Sequence, residues 1–154
     1  MRPAQEALAR VLREHAIRTG EFTLASGRRS EWYVDGRLVT FRGDCVEIVG
    51  RAVVEALDAS GGLDFDAVGG LAIGADPVTV AVALASGARG FAVRKEAKDH
   101  GVGGRIAGPL RPEDRVLVVD DTVTSCGSLL QAVDAIEAAA RADRTVSDAI
   151  HAMP

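Results

Sequence analysis

The chain has 154 residues, 47% hydrophobic, 26% charged and 4% aromatic, with a formal net charge of −4. That length fits one globular domain, and the acidic balance argues against general nucleic-acid binding. Its two cysteines, Cys45 and Cys126, make no disulfide framework or metal-ligand spacing, and no apolar run approaches the roughly 20 residues needed to span a bilayer.

Residues 4–18 carry Leu8, Val11, Leu12 and His15 at helical spacing, which predicts an amphipathic helix. The charged N-terminus has no apolar signal-peptide core, so a cytoplasmic protein is expected. In "EFTLASGRRSEWYVDGR", β-formers flank Ser26-Gly27, predicting two short strands around a turn. "GDCVEIVGRAVVEALDAS" predicts a second helix, with Asp44 as its N-cap and Gly61-Gly62 beyond its end. "FDAVGGLAIGADPVTVAVALASG" reads as a strand, a Gly-rich loop and a helix opened by Asp76 as N-cap and Pro77 at the first helical position.

"ARGFAVR" is the next strand, and "KEAKDHGVGGRIAGPLRPED" is long, polar and Gly-rich, as a mobile loop would be. "RVLVVDD" is an unbroken apolar strand, expected to be buried on both faces. Its following helix, "GSLLQAVDAIEAAAR", is expected to end near Arg141, and no further apolar strand follows in "RADRTVSDAIHAMP". Strands alternate with helices, which predicts an α/β fold with a parallel sheet flanked by helices.

The chemistry concentrates where "RVLVVDD" stops. Ligands of an open parallel sheet sit at the carboxyl ends of its strands, and Asp120 and Asp121 lie at such an end. Ionised carboxylates accept the hydrogen bonds that vicinal ribose hydroxyls donate. Thr122, Thr124, Ser125 and Ser128 then lead into a helix N-terminus, whose free N–H groups and dipole favour a phosphate. Acids for a diol beside an anion nest suit a phosphorylated sugar such as ribose 5-phosphate. Helix capping alone would explain one acid, not both. Neither the Lys of a Walker A loop nor G-x-G-x-x-G is present, and "GVGGRIAG" is only a near miss. A separate cluster, Arg94, Lys95, Lys98 and His100, precedes Gly101, Gly103 and Gly104. Such an arm can close over a polyanion and exclude water.

The acid turn resembles the phosphoribosyl-diphosphate (PRPP) signature of type I phosphoribosyltransferases. "RKEAKDHG", "EFTLASGRRSEWYVDGR" and "VGGLAIGADPVTVAVA" narrow the resemblance to the orotate phosphoribosyltransferases, over about residues 15–140. It implies a type I phosphoribosyltransferase fold in one domain: an N-terminal helix and hood at 1–40, a PRPP-binding core at 41–141 and a short or divergent tail at 142–154. It implies transfer of the phosphoribosyl group from PRPP to orotate with Mg2+, in pyrimidine synthesis. Asp120 and Asp121 would hold the ribose hydroxyls directly or through Mg2+ bound to PRPP. The 5-phosphate would lie on Thr122, Val123, Thr124, Ser125, Cys126, Gly127 and Ser128. Gly74, Ala75 and Asp76 would line the diphosphate. Arg94, Lys95, Lys98 and His100 would bind it too, Lys98 and His100 in a catalytic role, with loop 95–108 shared across a homodimer. Thr124, Ser26, Tyr33 and Val34 would contact orotate.

This chain departs from the family pattern in three places. Ala25 stands where some members have Lys, and Ser125-Cys126 where Thr-Gly is usual, a position at which a Cβ is strained if φ is positive. "RTVSDAIHAMP" stands where an apolar strand and an orotate-binding Arg are expected. The alternative is a catalytically weak relative that binds PRPP or a nucleotide as a regulator.

Overall fold

Pro3, with no N–H to leave unpaired, opens helix α1 (Pro3–His15). The N–H groups of Ala4 and Gln5 donate to Glu55 Oε2 at 3.0 and 3.2 Å, so the start of this helix is capped by a side chain fifty residues away. The computed structural model describes residues 2–24, 27–98 and 104–151, with Lys98 and residues 143–151 described by backbone alone. The first helix is shorter than its apolar spacing predicts, because Ile17 already belongs to a strand.

Strands β1 (Ile17–Thr23) and β2 (Arg29–Val34) form the expected antiparallel hairpin, with a register shift between Thr19 and Phe22. The Phe22 and Tyr33 rings meet across it, centroids 5.6 Å apart. Asp35 N–H donates to Ala16 O at 3.0 Å and closes the hairpin's base. The single turn of α2 (Arg37–Thr40) follows, too short to register as a periodicity.

Helix α3 (Val46–Ala59) corrects one expectation: Cys45, not Asp44, is its N-cap, and no side chain caps it. The Asp44 carboxylate is taken instead by Arg42, with Nη2–Oδ2 at 2.6 Å. Strand β3 (Ala67–Leu71) leads through a tight turn into α4 (Ala75–Ser86). This helix also begins earlier than predicted, with Gly74 as N-cap in place of Asp76. Gly87, at φ 78°, ends it as a left-handed cap.

Two elements take up part of the predicted mobile loop. Strand β4 (Arg89–Lys98) runs four residues past Arg94, and β5 (Gly104–Ala107) returns antiparallel beside it. β6 (Val116–Val118) and α5 (Gly127–His151) complete the chain. The α5 backbone continues helical well beyond Arg141.

The main sheet has the order β5-β4-β3-β6, with β3, β4 and β6 parallel. Helices cover both faces, as expected. On one side Val68 and Val119 pack with Val49 of α3 and Val78, Ala81 and Val82 of α4, under Leu8, Val11 and Leu12 of α1. On the other, Ala67, Leu71, Phe91 and Val93 pack on Ala132, Ala135 and Ile136 of α5. The i, i+3, i+4 spacing of those three helical residues is the stripe that a sheet-facing helix needs. One strand is less buried than its sequence predicts: Val116, Leu117 and Val118 are each only half-buried. Among the described residues β6 has a neighbour on one side only, so its outer edge lacks cover.

Candidate active site

The parallel strands point their carboxyl ends at one place. Val119 N–H still donates to Gly69 O at 2.9 Å, and then the chain leaves the sheet at Asp120. Asp121 N–H turns back to Asp120 Oδ1 at 3.0 Å, so the first acid holds the turn that presents the second. Burial pushes the Asp120 carboxyl above the usual range, opposed by that N–H bond and reinforced by the charge of Asp121. A group in this state gains from a cation or a hydroxyl donor arriving beside it.

Two other segments press against the acids. A Cβ on Gly74 would stand 2.8 Å from Asp121 Oδ1 and 3.3 Å from Asp120 Oδ1. A Cβ on Gly36 would stand 2.9 Å from Asp121 O. Both turns therefore reach the acids by having no side chain. The turn before Gly74 contains a cis peptide, Ala72-Ile73, and Ala72 N–H donates to Val93 O at 2.8 Å. The structure thus brings together the acid pair, the β3–α4 turn and the end of the hairpin hood.

Beyond the acids, Thr122, Val123, Thr124, Ser125, Cys126, Gly127 and Ser128 are all exposed. Thr122 Oγ1 lies 3.4 Å from Asp121 Oδ1. Leu130 N–H donates to Cys126 O at 2.9 Å, which sets Cys126 at the entrance of α5. Cys126 has φ 60°, the left-handed conformation that glycine adopts freely and a residue with a Cβ does not. The Ser–Cys departure from Thr–Gly falls on that very position.

Other predicted residues lie elsewhere or do something further. Ala75 is buried at the start of α4. Asp76 lines a groove of about 480 Å3 between α4, β4 and β5, with Thr79, Val80 and Phe91. Its Oδ1 is buried and has no hydrogen-bond partner among the described residues, and burial raises its carboxyl. Arg94 Nη1 donates to Gly104 O at 3.2 Å and Ile106 O at 3.4 Å, so this cation stitches β5 to β4. Lys95 is exposed on β4, and Lys98 is its last residue. Tyr33 and Val34 sit at the end of β2, beside the acid turn's neighbour Gly36. Ser26 and His100 lie outside the described residues, as do Gly101 and Gly103.

No family model matches the chain. It is similar to the orotate phosphoribosyltransferase of Streptomyces avermitilis, 46% identical over 138 residues that cover 86% of this chain and 74% of that one. It is similar to the Rhodopirellula baltica enzyme of the same name, 41% identical over 139 residues, 85% of this chain and 72% of that one. The chain belongs to the orotate phosphoribosyltransferase family.

Solved structures agree with that membership. A Corynebacterium diphtheriae phosphoribosyltransferase superposes with a TM-score of 0.75 at 36% identity, over 89% of this chain and 76% of that one. The Mycobacterium tuberculosis orotate phosphoribosyltransferase in complex with PRPP superposes with a TM-score of 0.68 at 36% identity, covering 88% of this chain and 75% of that one. As an orotate phosphoribosyltransferase, this chain is a transferase of pyrimidine biosynthesis with the type I fold. One cation near its site escapes a reading by motif: Arg37 follows Gly36, where a Cβ would stand 2.9 Å from Asp121 O. On β5, Arg105 donates from Nε to Arg94 O at 2.9 Å. Arg37 closes the segment "EFTLASGRRSEWYVDGR", but only the approach of Gly36 to Asp121 gives that residue significance.

Proposed function

We propose that the chain transfers the phosphoribosyl group of PRPP to orotate at the β6–α5 turn, and that the sugar phosphate is held there. The observation that carries this is the convergence of Asp120, Asp121, Gly74 and Gly36 at the ends of the parallel strands. Asp120 and Asp121 accept hydrogen bonds from the ribose hydroxyls, and the exposed loop 122–128 offers hydroxyls and the α5 N-terminus to the 5-phosphate. Gly74, at the end of the β3–α4 turn, offers its backbone to the diphosphate. Ala75 and Asp76 follow it as the first residues of α4, and the half-buried Asp76 carboxylate lines a different groove.

In the reaction, the anomeric C–O bond breaks with its electron pair leaving on diphosphate, and a ring nitrogen of orotate bonds to that carbon as its proton passes to the departing diphosphate. Cation character grows on the ribosyl ring and negative charge on the leaving group. Asp120 and Asp121 stabilise the first, while Lys95, Lys98 and His100 on the β4–β5 arm stabilise the second. Thr124, Ser26, Tyr33 and Val34 line the base site. Among the described residues no three His, Cys, Asp or Glu side chains cluster as a protein-only metal cage. Two adjacent carboxylates beside a phosphate nest fit Mg2+, which keeps waters and substrate oxygens in its shell. When bound, Mg2+ would neutralise diphosphate charge, and Asp120 and Asp121 are the groups that would hold it.

A cytoplasmic homodimer in which the 95–108 arm reaches the partner's site completes the reading. Among the described residues no helix is long and apolar enough to cross a membrane. The test is loss of orotate absorbance on adding PRPP and Mg2+. Turnover supports the proposal, and PRPP protection against unfolding without turnover would favour a binding relative instead. Lys98→Ala should lower kcat by about 100-fold or more with a much smaller effect on the KM for PRPP, by the scale of losing one transition-state contact. An unchanged kcat would remove Lys98 from catalysis.

A further inference from the structure

We infer that a second copy of this chain seats on the groove between α4, β4 and β5, with α4 at the centre of a two-fold interface. The inference deepens the homodimer proposed above and rests on it. Its first support is the composition of α4. From Pro77 to Ser86 the helix carries no charged side chain. Val78, Ala81 and Val82 pack into the core with Val49 and Val68. Yet Val80 and Leu84, one turn apart, are 55% and 73% exposed. A helix that is apolar on its outer as well as its inner side is one that a neighbour buries. At 12 residues it is shorter than the roughly 20 that cross a bilayer, so the neighbour that fits it is protein.

The second support is the groove itself. Ala83, Ala88, Gly90, Ala92 and Ala107 give it a lining of small residues, and Val80 and Leu84 line it from α4. Two polar atoms inside it lack partners. Thr79 is only 5% exposed, and its Oγ1 has no hydrogen-bond partner among the described residues. Asp76 Oδ1, one turn earlier on the same helix, is in the same state. Buried polar groups are normally hydrogen-bonded. The groove therefore suits a protein surface that brings hydrogen-bond donors together with apolar side chains, because hydrocarbon alone would leave both atoms unmet.

The third support is that this chain's own surface supplies such an occupant. A two-fold interface uses one patch on both copies, so ridge and groove must lie side by side on it. Here they do: the exposed side chains of Val80 and Leu84 stand beside the hollow lined by Gly90 and Ala107. Continuity with the proposed arm exchange points the same way. Ala92 and Ala107 belong to β4 and β5, the strands that carry the 95–108 arm. A copy seated on this groove lies against the element that reaches across.

The test is analytical ultracentrifugation of the full chain alone, as wild type, Leu84→Asp and Leu63→Asp. The wild type should sediment as a dimer. Leu84→Asp should raise the dimer Kd by roughly 100-fold or more, the scale of losing an anchor at the centre of an interface. Leu63, 61% exposed on the connection from α3 to β3, is the control. Leu63→Asp should leave the Kd within about threefold of wild type. A Kd unmoved in Leu84→Asp, or raised equally in Leu63→Asp, overturns the inference while the homodimer stands. If Leu84→Asp does not fold, Leu84→Ser decides: it should raise the Kd by about 10-fold, and an unmoved Kd there overturns the inference equally. A wild type that stays monomeric throughout the micromolar range overturns the homodimer, and this inference with it.

Discussion

Cys126 shows how one residue can sit against its own backbone. At φ 60° a residue with a Cβ costs about 1–2 kcal/mol relative to its right-handed alternative, whereas glycine does not. Part of that gain is offset in a glycine variant by about 0.5–1 kcal/mol of extra chain entropy. Cys126→Gly should therefore stabilise the protein by about 0.5–1 kcal/mol in urea denaturation. A loss of stability would mean that the thiol makes a compensating contact. The strain was legible in sequence as a conditional: the T-x-T-S-C-G-S loop departs from Thr–Gly at this residue, and only the backbone angle shows that the condition is met. Asp76 teaches the opposite. The Asp-Pro pair reads as a helix start, but the helix takes Gly74 as its cap and sends the Asp76 carboxylate into an apolar groove. Local capping preference is a small effect, and the docking of α4 on β3 outweighs it.

At the scale of elements, the close crossing of α3 and α4 depends on Gly50. A Cβ there would meet Ala81 O at 2.1 Å, a backbone atom that cannot swing away. Gly→Ala inside a helix ordinarily gains about 1 kcal/mol. Here the clash should win, and Gly50→Ala should destabilise by about 1–3 kcal/mol net in chemical denaturation. Gly43→Ala, with nothing within 4 Å of its Cβ, is the control and should change stability by less than about 0.5 kcal/mol. Sequence periodicity identified α1, α3, α4 and the start of α5, because each carries an apolar stripe. It missed the extent of β4 and the existence of β5. "KEAKDHGVGGRIAG" has the composition of a loop, and its strands form because Arg94 and the β4 backbone give "GRIA" a partner. Pairing of that kind is a property of two segments together, not of either alone.

For the whole molecule, the acids divide by place. Those that brace the scaffold are paired: the Arg115 side-chain hydrogen bond lowers Asp66 to about 2, and Arg37 and Arg42 hold Asp35 and Asp44 below the usual range. Asp114 is likewise low, because Arg89 and the Arg111 N–H outweigh its burial. Asp120 at the site and Asp76 in the groove are raised by burial. Asp66 ionises more readily folded than unfolded, so the unfolded chain binds more protons between its two pKa values. Its stabilisation is complete above the ordinary aspartate value of 3.8 and is lost as pH falls toward about 2. The melting temperature should decline across that window, and Asp66→Asn should flatten part of the decline. A wild-type profile level from pH 4 to 2 would contradict the pairing. By itself the amino-acid order determined the α/β class and the acid turn, because hydrophobic period and adjacent functional groups are local. Tertiary structure alone decided that Gly36 and Gly74 converge on Asp120 and Asp121, that Arg37 stands beside them and that Arg94 ties a strand. Those facts depend on distances between segments, and such distances are set by the packing of the whole chain.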